Sequence, residues 1–383
     1  MSRLKRLGTA ALVIVAGLSL LYGWALGSLD TSQVARYIVW LDSDVDDWQR
    51  FPSRTMAAAP DPVDLVSPGQ PDAGVAAVQI DGRPLATFLE ANETTAFLVA
   101  RGETLVYELY PNGSSREATQ TSFSVAKSFA STLVGIAADE GLLNLDDSIA
   151  TYIPELLERD PGFRDITIRH LITMSSGIRY AEFKLPWSDD VTTYYAPDLR
   201  AAALAASIER PPGEEFHYNN FNPLLIGMVL ERATGVHVSD YLATRLWQPM
   251  GAEADGSWSL DSERSGFEKM ESGINGRAVD FLKLGLVFAH EGRIAGRQVV
   301  PAAWVSEATG VDTATDPAKG YQYFWWVFPD HHAFAALGNK GQFIYVDPVA
   351  DVTIVRMGRN YGSFDYLRWI DLFSTVAGAA GHQ

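Results

Sequence analysis

Strand-like segments lie at both ends of this chain's second part, and helical periodicity fills the space between them. Residues 95–110, "TAFLVARGETLVYELY", read as a β-hairpin: two runs rich in Val, Leu and Phe flank a turn at Arg101-Gly102-Glu103. A helical pattern follows from 124 to 140, with Val125, Phe129, Leu133 and Ile136 on one stripe and Gly141 as its stop. Residues 166–309 are mostly helical, with Gly235 ending one helix and further helical patterns at 280–292 and 302–308. Strand patterns return at 321–328, 342–346 and 352–357, before a closing helix at 366–376. Strands from distant parts of the chain must then pair with each other. The expected fold class is α+β: an antiparallel sheet flanked by helices, with an inserted helical lobe and a cleft between lobe and sheet.

Ahead of this unit, residues 7–29 carry no charge and follow Arg3, Lys5 and Arg6. At about 1.5 Å per residue they are long enough for a hydrocarbon core of about 30 Å. The expectation is one transmembrane helix at 7–29, with a basic cytoplasmic flank at 1–6 and the rest of the chain outside the membrane, periplasmic in a cell with an inner membrane. A secretory signal cleaved after Ala25-Leu26-Gly27 is the rival reading. Residues 30–74 form an acidic, proline-rich connecting arm whose Tyr37, Trp40, Trp48 and Phe51 predict partial packing on the domain at 75–383.

Composition narrows the chemistry. With 30 Lys+Arg against 47 Asp+Glu, the net charge is −17, so a nucleic-acid partner is not expected. There is no cysteine, which removes disulfides, thiolate metal sites and a cysteine nucleophile. No G-x-S-x-G elbow is present, and no His pair shows metal-ligand spacing. Neither a metal nor a cofactor is expected, and the oligomeric state is not specified.

Three short patterns carry candidate chemistry. Ser124-Val125-Ala126-Lys127 opens the first domain helix, and positions i and i+3 share a helix face, so Ser124 Oγ and Lys127 Nζ can meet. Burial and the helix dipole both favour loss of the ammonium proton, which a lysine base requires. Ser2-Arg3-Leu4-Lys5 has the same spacing, so the pattern gains meaning from the apolar neighbours Val125, Ala126, Phe129 and Ala130. Tyr218-Asn219-Asn220 opens a second helix, where a phenol can shuttle a proton and an amide can hold a substrate; capping by Asn219 or Asn220 is the bland alternative. Gly338-Asn339-Lys340-Gly341-Gln342 leads into a late strand and is either a glycine-lined approach with a cation or a plain turn.

In this order the three patterns resemble those of the penicillin-recognising serine hydrolases. "FSVAKSFASTLVGIAADEGLLNLDDSIATYIPEL", "ITIRHLITMSSGI", "FHYNNFNPLLIGMVLERATG" and "GQFIYVDPVADVTIV" look like the class C β-lactamase-related group, and "AFLVARGE" with "KGQ" leans toward its nylon-oligomer hydrolase and esterase branch. The resemblance implies a serine hydrolase of a small amide or ester, acting through an acyl-enzyme on Ser124. Lys127 and Tyr218 would share the roles of base and proton shuttle. Asn220, Lys340, Gly341 and Gln342 would bind substrate, and the N–H groups of Ser124 and Gln342 would hold the oxyanion. The third motif departs from the family's usual Lys-Thr-Gly or His-Thr-Gly, which favours a general amidase or esterase. A D-alanyl carboxypeptidase or β-lactamase, and a catalytically silent binding protein tethered to the membrane, are the alternative readings.

Overall fold

The alternation seen in the first hairpin builds the central sheet. A computed structural model describes residues 3–183, 185–311 and 320–381. Strands β1 (Thr94–Arg101), β2 (Thr104–Leu109), β3 (Tyr321–Gln322), β4 (Trp325–Phe328), β5 (Ala333–Gly338), β6 (Gln342–Asp347) and β7 (Val352–Gly358) form one antiparallel sheet, ordered β3-β4-β5-β6-β7-β1-β2. The two ends of the domain meet where β7 pairs with β1, Ile354 opposite Val99. Successive side chains on a strand point to opposite faces. Phe97, Val99, Phe343, Tyr345 and Ile354 accordingly pack with Trp369 and Phe373, while Ala96, Leu98, Ile344, Val346 and Val355 join the larger core.

Seven helices matter for the site: α1 (Arg3–Leu26), α2 (Gln33–Trp40), α3 (Val125–Asp139), α4 (Asp189–Tyr195), α5 (Phe221–Thr234), α6 (Ala278–Ala289) and α7 (Tyr366–Gly381). Helix α7 covers one face of the sheet, and α3 and α6 lie against the other. Gly285 lets α6 approach closely, because a Cβ there would stand 2.5 Å from Thr353 Cγ2 and 2.8 Å from Ile344 Cγ2. Helix α5 ends at Gly235 in the left-handed conformation, φ 72°, which a glycine adopts without a Cβ penalty. The α+β architecture expected from the pattern is therefore present.

Two features differ from expectation. A second, four-stranded sheet joins residues Ser53–Met56, Gly256–Ser259, Ile274–Gly276 and Gln120–Thr121, so the connecting arm contributes a strand and the helical middle contributes two. These strands are two to four residues long, too short for a periodicity to register.

The second concerns the membrane. Among the described residues no helix is long and apolar enough to cross a membrane, so the transmembrane anchor expected at 7–29 is not supported. Helix α1 ends at Leu26, and Gly27 and Ser28 bond back as turns. Leu12, Val13, Ile14, Leu18 and Leu20 are exposed along it. The expected placement of the domain outside a membrane depended on that anchor.

After α1 the arm packs on the domain. Arg36 is buried and donates to the carbonyls of Leu29, Tyr195 and Asp261. Trp40 meets Phe51 edge-on at 5.1 Å, and Tyr37 meets Tyr195 at 6.5 Å.

Candidate active site

The small sheet places the nucleophile candidate. Ser122 N–H donates to the Ile274 carbonyl (2.8 Å), extending the sheet to the residue before the turn. Phe123 follows with φ 45°, a left-handed conformation that is uncommon for a bulky side chain. Ser124 then stands at the start of α3, and its side chain makes no capping bond. Instead, Lys127 Nζ lies 2.9 Å from Ser124 Oγ and 3.0 Å from the Glu271 carbonyl. Lys127 is 1% exposed, which excludes a solvent-facing lysine at this position.

Tyr218 completes the group. Its ring lies 5.0 Å from Lys127 Nζ and stacks on Trp326 at 6.1 Å, with Tyr321 edge-on at 6.1 Å. The polar residues beside it divide their roles. Asn219 is buried and serves the backbone, its Oδ1 accepting from Phe221 N–H and its Nδ2 donating to the Ile178 carbonyl. Asn220 makes no capping bond; its Nδ2 donates to Tyr180 Oη (2.8 Å), and its Oδ1 has no partner among the described residues. Ser124, Tyr218 and Asn220 all line one cavity of about 420 Å³. These two motifs are thus brought together by the fold.

The third motif divides. Gly338 lets the end of β5 pass against the turn before Ser124, since a Cβ there would meet the Ser122 carbonyl at 2.5 Å and Phe123 Cβ at 3.3 Å. Asn339 lines the cavity. Lys340, with φ 61°, turns its ammonium to Asp42 Oδ2, 2.9 Å away. Gly341 has φ 80° and accepts at its carbonyl from the buried Arg356 (2.6 Å). A Cβ on Gly341 would collide with that guanidinium. Gln342 is fully buried, with its side chain bonded to both backbone groups of Gly358. The side chains of Lys340 and Gln342 are therefore engaged within the protein, and neither lines the cavity among the described residues.

Several contributors were not singled out from the sequence. Arg356 also donates to the Asn92 and Asn360 carbonyls and lies 4.0 Å from the centre of the Trp369 ring; burial pushes its pKa down to about 9. Glu271 is 2% exposed and sits between two buried lysines, offering its carbonyl to Lys127 and its Oε1 to Lys269 (3.0 Å). Burial lowers the Lys269 pKa, and the Glu271 carboxylate opposes that shift. Glu182 and Asp190 line the cavity as well. Burial raises both carboxyl pKa values; Tyr180 counters it at Asp190, while Asp190 itself adds to it at Glu182. None of these contributions carries a local sequence signature, and neither does the positive φ at Phe123.

No cluster of His, Asp and Glu able to hold a metal occurs among the described residues. The site offers a hydroxyl, a phenol and a carboxamide that line a cavity, with the Lys127 side chain buried behind the hydroxyl. Such a set can carry out nucleophilic attack with proton transfer.

Comparison with known proteins agrees with that chemistry. A 6-aminohexanoate-dimer hydrolase of Paenarthrobacter ureafaciens is 26% identical over 368 residues, covering 87% of this chain and 92% of its own. A solved structure from Bacillus anthracis, given provisionally as a 6-aminohexanoate-dimer hydrolase, superposes with a TM-score of 0.76 at 24% identity, over 91% of this chain and 96% of that one. A family VIII carboxylesterase shares the fold with a TM-score of 0.59 at 20% identity, over 77% of this chain and 94% of its own. The Beta-lactamase family model matches residues 86–368, most of the chain. This protein belongs to the β-lactamase family and is a serine hydrolase.

Proposed function

We propose that the protein hydrolyses a small amide or ester through an acyl-enzyme on Ser124. The observation that carries this reading is the 2.9 Å contact between Lys127 Nζ and Ser124 Oγ at the edge of the cavity. Lys127, Tyr218 or both take the Ser124 proton as Oγ attacks the carbonyl carbon. The tetrahedral oxyanion is held by the N–H groups of Ser124 and Gln342, since donors aimed at developing charge lower the barrier most. Tyr218 passes a proton to the leaving amine or alcohol, and Asn220 holds the acyl portion through its unpartnered Oδ1. Water then attacks the ester with the same groups acting in reverse.

The cavity wall bears on the substrate. Asp42, Glu182, Asp190 and Glu271 all line it, and the Lys340 ammonium is held by Asp42. This charge pattern favours a neutral or amine-bearing substrate over a carboxylate-bearing β-lactam or D-alanyl peptide. The 6-aminohexanoate unit named for the relative from Paenarthrobacter ureafaciens bears both an amine and a carboxylate, so only its amine matches this wall.

Labelling with a fluorophosphonate followed by peptide mapping tests the reading. Modification of Ser124 supports it, and an unlabelled wild-type protein would place the chain with catalytically silent binding proteins. A panel of p-nitrophenyl esters, short linear amides and nitrocefin then separates esterase, amidase and β-lactamase activities.

A further inference from the structure

The arm that precedes the matched family domain forms one wall of the cavity. Tyr37, Leu41, Asp42 and Ser43 line it, although the family match begins only at residue 86. The arm is fastened on both sides of the opening. On the helical side, Arg36 holds the Tyr195 and Asp261 carbonyls, and the Tyr194 hydroxyl donates to Asp47 (2.6 Å). On the sheet side, Asn339 Nδ2 donates to Ser43 Oγ (3.3 Å), Lys340 pairs with Asp42 (2.9 Å) and Arg359 pairs with Asp46 (3.2 Å). The Asp42 side chain is 84% exposed and that of Lys340 21%, so the pair stands at the cavity mouth within reach of an entering molecule.

We propose that Asp42 is a specificity-determining residue: it occupies the Lys340 ammonium at the cavity mouth and so withholds the cation that a substrate carboxylate would meet there. The pairing is intramolecular, so an incoming carboxylate competes with Asp42 for the Lys340 ammonium. Among the described residues the other carboxyl groups lining the wall are Glu182, Asp190 and Glu271, the last held by Lys269, and none of them attracts the same carboxylate. Arg359 is not among the residues lining the cavity and is itself held by Asp46. Neutral and amine-bearing substrates need no displacement and pass freely. The inference deepens the proposed hydrolase and rests on it.

The test uses two esters of matched shape, one ending in a carboxylate and the other in a carboxamide, with kcat/KM measured for each on the full chain. Asp42→Asn is expected to raise the carboxylate-to-carboxamide ratio about fivefold, the scale of an exposed ion pair, and to raise it less at high salt. Adding Lys340→Ala to that variant should return the ratio to the wild-type value. Asp46→Asn removes the same charge from the same arm but leaves Lys340 paired, so its ratio should stay at wild type. An unchanged ratio in Asp42→Asn, or an equal rise in Asp46→Asn, overturns the assignment. If fluorophosphonate leaves Ser124 unlabelled, the hydrolase reading fails by itself. Asp42 is then judged by titrating hippurate against tryptophan fluorescence, where only Asp42→Asn should bind more tightly and equal binding in wild type and variant would refute it.

Discussion

Two lysines from the three motifs have opposite surroundings. Lys127 is buried on α3, and its hydrogen-bond partners are a hydroxyl and a carbonyl. Lys340 lies at the cavity mouth and is matched by a carboxylate from another part of the chain. The Lys340 side chain has a carboxylate partner in Asp42, whereas Lys127 Nζ stands against Ser124 Oγ with no carboxylate among its hydrogen-bond partners. Lys269 extends the contrast: it is as buried as Lys127, but the Glu271 carboxylate holds it and the Phe51 and Tyr194 rings enclose it. Burial alone therefore does not mark a base; the chemistry of the partner does.

The sharpest break in this contrast is Ser124→Ala, which should lower hydrolysis by at least about 10⁴-fold with an unchanged circular dichroism spectrum. Residual turnover near wild type would remove Ser124 from the reaction. Lys127→Ala should slow acylation by about 10²- to 10⁴-fold, the range of general-base catalysis. If Tyr218→Phe costs more than Lys127→Ala in stopped-flow acylation, the base is the phenol and the lysine orients it.

Arg356→Met tests how the third motif is held. It leaves the Gly341, Asn92 and Asn360 carbonyls without their donor, at a cost of about 3 kcal/mol in urea denaturation. A loss below about 1 kcal/mol would show that water replaces the guanidinium easily.

Asp190→Asn probes the acidic wall. The folded Asp190 carboxyl holds its proton to a higher pH than the ordinary value of 3.8, so its contribution favours the fold at low pH and is lost as pH rises through the raised pKa. The variant should be more stable than wild type at pH 7, and its advantage should shrink as the pH falls toward 3.8. A constant difference across that range would assign the effect to packing. Lys340→Ala is the mildest change, expected to shift stability by no more than about 1 kcal/mol because its pair is partly exposed. A larger loss in thermal unfolding would mean that the arm's docking depends on this one contact.

The legible parts of this protein were those that act over short stretches of chain. Ser124 and Lys127 are three residues apart on one helix, and the helix geometry itself brings their side chains together. The same holds for the first hairpin, for the stop at Gly235 and for the two-faced alternation of Phe343, Ile344, Tyr345 and Val346. The apolar run at the amino terminus was equally visible, yet a count of uncharged residues fixes neither where a helix ends nor what its side chains meet.

What only the tertiary structure decided are the contacts between residues far apart in sequence. Nothing local joins Lys127 to the Glu271 carbonyl, Arg356 to Gly341, or Asp42 to Lys340. The four-stranded sheet that sets the turn before Ser124 is built from strands too short to have a periodicity of their own. Sequence by itself determined which residues could do chemistry, because side-chain type and helical spacing are local properties. Their assignment as cavity group, backbone clamp or occupied cation came from long-range packing, which settles the partner each polar atom finds once water is excluded.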